Sequence, residues 1–354
     1  MLYKDTKACA EIIGLFYTSD KIPGIKRVKK GKDFQFIDPD QKPIIDKKII
    51  EYILSLIIPP AWKKVWICPD QNGHIQVTGI DDKGRKQYLY HPKWRTMRDL
   101  IKFYRMILFA GLLPKIRKTV DEHLQRKGLN QHRVIAAMLW ILDNTYIRVG
   151  NDIYYEQNES IGLTTLTDKN VVIAGSVVTF AFKGKSGKDH DFAIDDPVIA
   201  EIVAATKALN GERLFQYQSS DGTHIVTAAH INNYLREITN ELVSAKDFRT
   251  WGGTLMAFNH LIENQDSDKK PEKLIVEAID AAADILGNTR AVAKSSYVHP
   301  HILSTYGSKD FKRYYEEATK QRKIVALDKR ESELLFFLQQ LFMRQFDLLK
   351  SANL

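Results

Sequence analysis

Lys83-Gly84-Arg85-Lys86-Gln87-Tyr88-Leu89-Tyr90-His91-Pro92-Lys93-Trp94 divides the chain into two textures. Upstream the pattern is short and strand-like. Residues 64–68, 74–80 and 87–90 read as strands. The turns between them are Asp70-Gln71-Asn72-Gly73 and Asp81-Asp82-Lys83-Gly84, and Asn-Gly is a strong hairpin signal. Further back, 33–38 and 43–45 flank the polar turn Asp38-Pro39-Asp40-Gln41, and 46–56 has helical spacing that Pro59-Pro60 ends. Downstream, helical patterns cover 96–112, 113–126, 130–144, 196–209, 228–242, 254–263, 271–286 and 313–349. One β island interrupts them at 171–182, followed by a Gly-rich turn and 191–194. The fold class this predicts is α+β. A small β-rich N-terminal domain, 1–95, precedes a larger, mainly α-helical domain with a small β-sheet, 96–354.

The chain of 354 residues is long enough for two or three domains with their own cores. With 44% hydrophobic and 27% charged residues it has a globular rather than a disordered composition. Two cysteines, Cys9 and Cys68, exclude a disulfide scaffold. The first residues carry acids and lack the apolar segment of a signal peptide, and no apolar run nears the roughly 20 residues of a membrane span. A soluble intracellular protein is expected. The net charge is +9, and the first hundred residues hold 19 of the 52 Lys+Arg but 12 of the 43 Asp+Glu. The excess is therefore N-terminal. It gathers in Lys26-Arg27-Val28-Lys29-Lys30-Gly31-Lys32 and in 83–90. The first run reads as a solvated surface or a weak nuclear-import patch. In the second, clustered cations stand beside Tyr88 and Tyr90, which share one strand face, and this suits a phosphate backbone.

Several standard chemistries fall away. There is no Cys-x-x-Cys, His-Glu-x-x-His or Gly-x-Ser-x-Gly motif. Gly184-Lys185-Ser186 resembles the end of a P-loop, but Thr179 stands where that motif needs its first glycine. What remains is a dispersed set of polar side chains: Arg148, Lys185, Arg249, Asn288 and Tyr297. Each has a plain alternative. Arg148 could pair with Asp143 or Asp152, Lys185 could be a polar turn residue, and Arg249 could stack on Trp251 at the surface. Gly287-Asn288 could cap the preceding helix. The His299-x-His301 pair is weak for a metal and reads as structural.

Taken together and in order, these segments resemble the type IB DNA topoisomerases, in their compact poxvirus-like and bacterial branch. Ile58-Pro59-Pro60-Ala61-Trp62, Val65-Trp66-Ile67, Gly84-Arg85-Lys86-Gln87-Tyr88 and Tyr90-His91-Pro92 carry the likeness in the N-terminal part. The resemblance implies catalytic roles for Tyr297, Arg148, Lys185, Arg249 and Asn288. Asn288 stands where many members have histidine, and an amide donates a hydrogen bond but has no charge and cannot relay a proton. It further implies DNA contacts by Lys83, Arg85, Lys86, Gln87, Tyr88, Tyr90 and Lys246. It also implies a bilobed clamp around duplex DNA, a monomer, no cofactor, no metal and no membrane. The location implied is cytoplasmic: with the nucleoid in a bacterium, or in a virion or virus factory.

The chemistry agrees with these residue types. A phosphodiester is anionic, so its attack by an oxygen nucleophile needs permanent positive charge on the non-bridging oxygens. A tyrosine attacks only where its proton, with a pKa of about 10, is managed by its surroundings. A lysine on a turn is a reasonable acid for the leaving 5′-oxygen. Two other readings share the residues. A site-specific tyrosine recombinase would usually carry histidine where Lys246 stands, and a helical N-terminal domain. A DNA-binding relative without activity finds support only in Asn288.

Overall fold

The computed structural model describes residues 5–31, 33–152, 155, 156, 160–209 and 211–351. Lys32, the end of the first basic run, lies outside them. The chain divides into two compact units, Met1–Tyr104 and Arg105–Asn353.

The first unit is built on an antiparallel sheet in the order β2-β1-β3-β4-β5. Its strands are β1 Ile25–Lys30, β2 Asp33–Ile37, β3 Lys63–Ile67, β4 Ile75–Ile80 and β5 Lys86–Tyr90. Helix Lys47–Ser55, capped by the Asp46 side chain, contributes Ile53 to a core with Ile25, Phe36, Val65, Ile67 and Val77. The first basic run is therefore a strand, and its arginine is structural. Arg27 donates to the carbonyls of Ile58 (3.2 Å), Pro59 (3.0 Å) and Trp62 (2.7 Å), and its guanidinium lies 4.2 Å from the Phe34 ring centre. Pro59-Pro60 supplies no N–H groups, so an arginine fork organises that turn instead.

In the second unit the helices frame two small sheets. The three-stranded sheet is β6 Val171–Ala174, β7 Val177–Lys183 and β8 Asp189–Asp195; β9 Gln216–Ser219 and β10 Gly222–Ile225 form a hairpin. The island expected at 171–182 is thus two strands, turned at Gly175 with its φ of 63°. Three helical expectations also change. The two helices expected at 96–112 and 113–126 are one helix, Pro92–Leu124, although Pro114 lies inside it. Met106, Phe109, Leu113, Ile116 and Val120 keep one buried stripe through the proline, and that burial outweighs a penalty of about 3 kcal/mol. The helix expected at 254–263 begins at Ala245, where Ser244 and Asp247 form its cap (Ser244 N to Asp247 Oδ2 2.7 Å). The segment 313–349 is two helices, Lys309–Thr319 and Lys329–Ser351. The second starts with a reciprocal box, in which Glu331 N donates to Asp328 Oδ1 (2.7 Å) and Asp328 N to Glu331 Oε2 (2.9 Å).

This last helix packs on the core: Leu334, Leu335, Phe337, Leu338 and Leu341 are buried, and Phe337 meets Phe258 and Phe311. Glu331 accepts from Trp251 Nε1 (3.2 Å) and pairs with Arg117 (2.7 Å), which also holds Asp143 (2.7 Å). No helix among the described residues is long and apolar enough to cross a membrane.

Candidate active site

Helix Gln131–Thr145 ends at Tyr146, in the left-handed region with φ 52°, where the chain turns toward Arg148. The backbone there is pinned by Leu163 N to Arg148 O (2.8 Å). The Arg148 guanidinium donates to the Asn288 side-chain oxygen and to Gly287 O (3.4 Å). Asp143 and Asp152 do not pair with it; they belong to Arg117 and Arg213.

Arg249, on helix Ala245–Glu263, is 4% exposed and so is no surface residue. It donates to Tyr146 O and to Leu286 O (2.9 Å). Its guanidinium carbon sits 5.2 Å from the centre of the Tyr297 ring rather than on Trp251, a cation–π distance. Burial first, and Arg148 second, bring its pKa down to about 10, while Tyr297 opposes both. Arg148 is lowered as well, again mainly by burial.

Asn288 makes two kinds of contact. After helix Pro271–Ile285, Gly287 adopts φ 56°, its N–H bonds to Asp284 O (3.0 Å), and Asn288 N bonds to Ala283 O (2.8 Å). That is the two-bond helix stop expected of a Gly-Asn pair. The same geometry aims the Asn288 side chain at Arg148. Tyr297 ends helix Arg290–Ser296 and is half-buried. Thr254, one turn beyond Arg249, donates to Tyr297 O (2.8 Å) and accepts from His299 N (3.2 Å). At Gly253 a Cβ would stand 3.1 Å from Tyr297 Cβ and 2.8 Å from Leu286 Cδ1, so only glycine lets these segments approach. His299 caps helix Pro300–Thr305, accepting His301 N through Nδ1 (3.2 Å).

Lys185 stands exposed on the turn between β7 and β8, which is closed by Gly184 N to Lys188 O (2.8 Å). Lys188 reaches across and donates to Asn288 O (2.7 Å), so this turn is tied to the arginine cluster. His190 lies beside it, its pKa lowered by burial and by Arg148, Arg249 and Lys188. Lys188, His190 and Thr254 were not legible as neighbours of this cluster, because each meets it through a contact made only in three dimensions. Lys246 is exposed on the first turn of the Arg249 helix and is not drawn into the cluster.

Among the described residues, no carboxylate lies within ion-pair distance of Arg148 or Arg249. Arg249 Nε and Asn288 Nδ2 are buried and find no acceptor. Isolated buried cations cost several kcal/mol each, and unused buried N–H groups add to that. An arrangement of this kind is suited to an anion.

On the first unit, Tyr88 and Tyr90 stack at 5.9 Å on the exposed face of edge strand β5. The cations beside them carry their own counter-charges. Arg85 pairs with Asp81 (2.8 Å), which also accepts from Gln87 (2.9 Å), and Lys86 pairs with Asp20 (2.5 Å). The Arg85 contact is the main reason that the Asp81 carboxyl falls to about 2. Lys83 is exposed on the turn before β5.

The class so defined is an α+β protein whose helical unit gathers uncompensated cations around a tyrosine. Residues 91–324 match the family model described as the catalytic core of eukaryotic DNA topoisomerase I, and residues 33–81 match the N-terminal domain of bacterial DNA topoisomerase IB. DNA topoisomerase 1B of Acanthamoeba polyphaga mimivirus is 35% identical over 293 residues, covering 80% of this chain and 87% of that protein. DNA topoisomerase I of monkeypox virus is 22% identical over 297 residues, covering 80% and 90%. The chain belongs to the type IB DNA topoisomerases, a family of isomerases.

Proposed function

We propose that this chain relaxes supercoiled duplex DNA by transesterification. Tyr297 Oη bonds to a backbone phosphorus and the P–O5′ bond breaks, leaving a 3′-phosphotyrosyl linkage and a free 5′-hydroxyl. The phenol proton leaves to solvent, and the Lys185 ammonium gives its proton to O5′. The freed strand rotates, and the 5′-hydroxyl attacks in reverse to reseal it. Arg148, Arg249 and the Asn288 amide bind the non-bridging oxygens, where negative charge grows in the transition state. The phosphodiester energy is kept in the tyrosine linkage, so the cycle needs no ATP, and fixed cations do the work a metal would do. Arg85 and Lys86 exchange their carboxylates for phosphates, Lys83, Gln87, Tyr88 and Tyr90 contact the duplex beside them, Lys246 adds a phosphate contact, and the chain acts as a monomer.

The observation that carries this reading is the pair of guanidiniums without a carboxylate, next to Tyr297, with two buried N–H donors unused. Plasmid relaxation in EDTA without ATP tests it. The wild type should relax a plasmid lacking repeated sites, and Tyr297→Phe should bind DNA without relaxing it. Relaxation by Tyr297→Phe would reject the assignment, and dependence on paired sites would favour recombination.

A further inference from the structure

His190 sits where two turns of distant origin meet. It faces Phe182 across the β7–β8 pair, and the two rings stack at 5.0 Å and 12°. The opposite edge of the imidazole meets glycine backbone on both sides. A Cβ at Gly184 would lie 2.7 Å from His190 Cδ2 and Nε2, and one at Gly287 would lie 2.7 Å from Cε1. Gly184 precedes Lys185 in the chain and Gly287 precedes Asn288. The ring is thus a spacer between the turn of the proposed proton donor and the turn of a proposed phosphate ligand. Lys188 bridges the same two turns by donating to Asn288 O (2.7 Å). The charges that act on the ring are those of Arg148, Arg249 and Lys188, with Asp189 opposing. A neutral ring fills the space without adding to their repulsion.

We propose that His190 is a positioning residue for DNA cleavage: wedged between Gly184 and Gly287, it sets the Lys185 turn in register with Arg148 and Asn288. This rests on the reading of Lys185 as the acid that protonates the leaving oxygen. A spacer of this kind has a signature that a purely structural residue lacks. Its loss should impair delivery of the proton and leave phosphate binding in place.

The test is single-turnover formation of the covalent adduct on two duplexes. One has an ordinary scissile phosphate. The other has sulfur in place of O5′, so that the leaving group departs as a thiolate and needs no proton. His190→Ala should slow cleavage of the oxygen substrate about tenfold or more, within the range of a general-acid contribution. On the sulfur substrate it should recover to within about threefold of wild type, as Lys185→Ala should too. Gly184→Ala gives an independent route to the same displacement, since its φ of −87° suits alanine and only the confined ring is in the way. Melting temperatures of both variants show whether they are folded, and either folded variant suffices. Equal slowing on both substrates, or none on either, overturns the role of His190. Relief by sulfur for Lys185→Ala but not for His190→Ala or Gly184→Ala overturns this inference alone. A wild type without adduct, or a Lys185→Ala defect that sulfur does not relieve, overturns the underlying reading and this inference with it.

Discussion

Replacing Arg249 by methionine should leave the protein about as stable as it is and remove most of its DNA cleavage. The side chain is 4% exposed, and burial brings its pKa down from the ordinary guanidinium range to about 10. At about 1.4 kcal/mol per pKa unit, holding that charge inside weighs about 3–4 kcal/mol against folding. The unfolded chain binds this proton more tightly than the folded one, so the burden is present at every pH below about 10 and lifts only above it. Methionine removes the burden but leaves the Tyr146 and Leu286 carbonyls without their donor, at about 1–2 kcal/mol each. The two effects offset to within about 2 kcal/mol. Arg117→Met is the contrast. Arg117 lies between Asp143 and Glu331, both at 2.7 Å, and its loss strands two carboxylates at about 3–5 kcal/mol. Urea unfolding of both variants gives the stabilities, and single-turnover adduct formation gives the chemistry. Arg249→Met should lose roughly 100-fold or more in cleavage, as expected for a donor to a developing oxyanion. If it instead unfolds as readily as Arg117→Met, Arg249 is a structural cross-link and the anion-site reasoning is wrong.

Other outcomes follow from the same geometry. Gly253→Ala pushes a Cβ to 3.1 Å from Tyr297 Cβ; adduct formation should slow about tenfold for a loss of about 1–3 kcal/mol in stability, and unchanged kinetics would show that Tyr297 is not held from this side. Asp20→Asn and Asp81→Asn release Lys86 and Arg85, so DNA binding measured by anisotropy should tighten about threefold or more at low salt and depend more steeply on salt. Unchanged binding would remove β5 from the DNA interface. His74 is 2% exposed, stacks on Tyr17 at 4.0 Å, and its pKa is held below 6.5 by burial. The unfolded imidazole takes its proton near pH 6.5 and the folded one only lower. Stability should therefore fall as the pH drops below about 6.5, with a lower urea midpoint at pH 5.5 than at 7.5. Equal midpoints would contradict this.

The two textures were legible because periods of two and of about 3.6 survive in the sequence, and Asp46 and Asn72-Gly73 mark their ends. The displaced boundaries share a cause: residues that break helices locally are overridden by burial that a local pattern does not contain. Pro114 and Gly252-Gly253 look like breaks, yet each lies on a buried stripe that carries the helix through. The opposite error hid the break before Lys329, although Asp328-Lys329-Arg330-Glu331 spells a capping box. Within the site, Arg148, Arg249, Asn288 and Tyr297 were recognisable only as an ordered set, since each alone has an ordinary structural reading. The Gly287-Asn288 cap and the contact of Asn288 with Arg148 share one geometry. Arg27 was invisible as a support for Pro59-Pro60, because a cation in a basic run gives no sign that its guanidinium faces four carbonyls.

The central claim is that Tyr297 becomes bonded to DNA. Mixing the protein with duplex DNA, stopping with denaturant, digesting both polymers and locating the modified peptide by mass spectrometry tests it directly. The account predicts a 3′-phosphonucleotide on Tyr297 and none in Tyr297→Phe. An adduct on another side chain, or relaxation by a protein that never forms one, would contradict it.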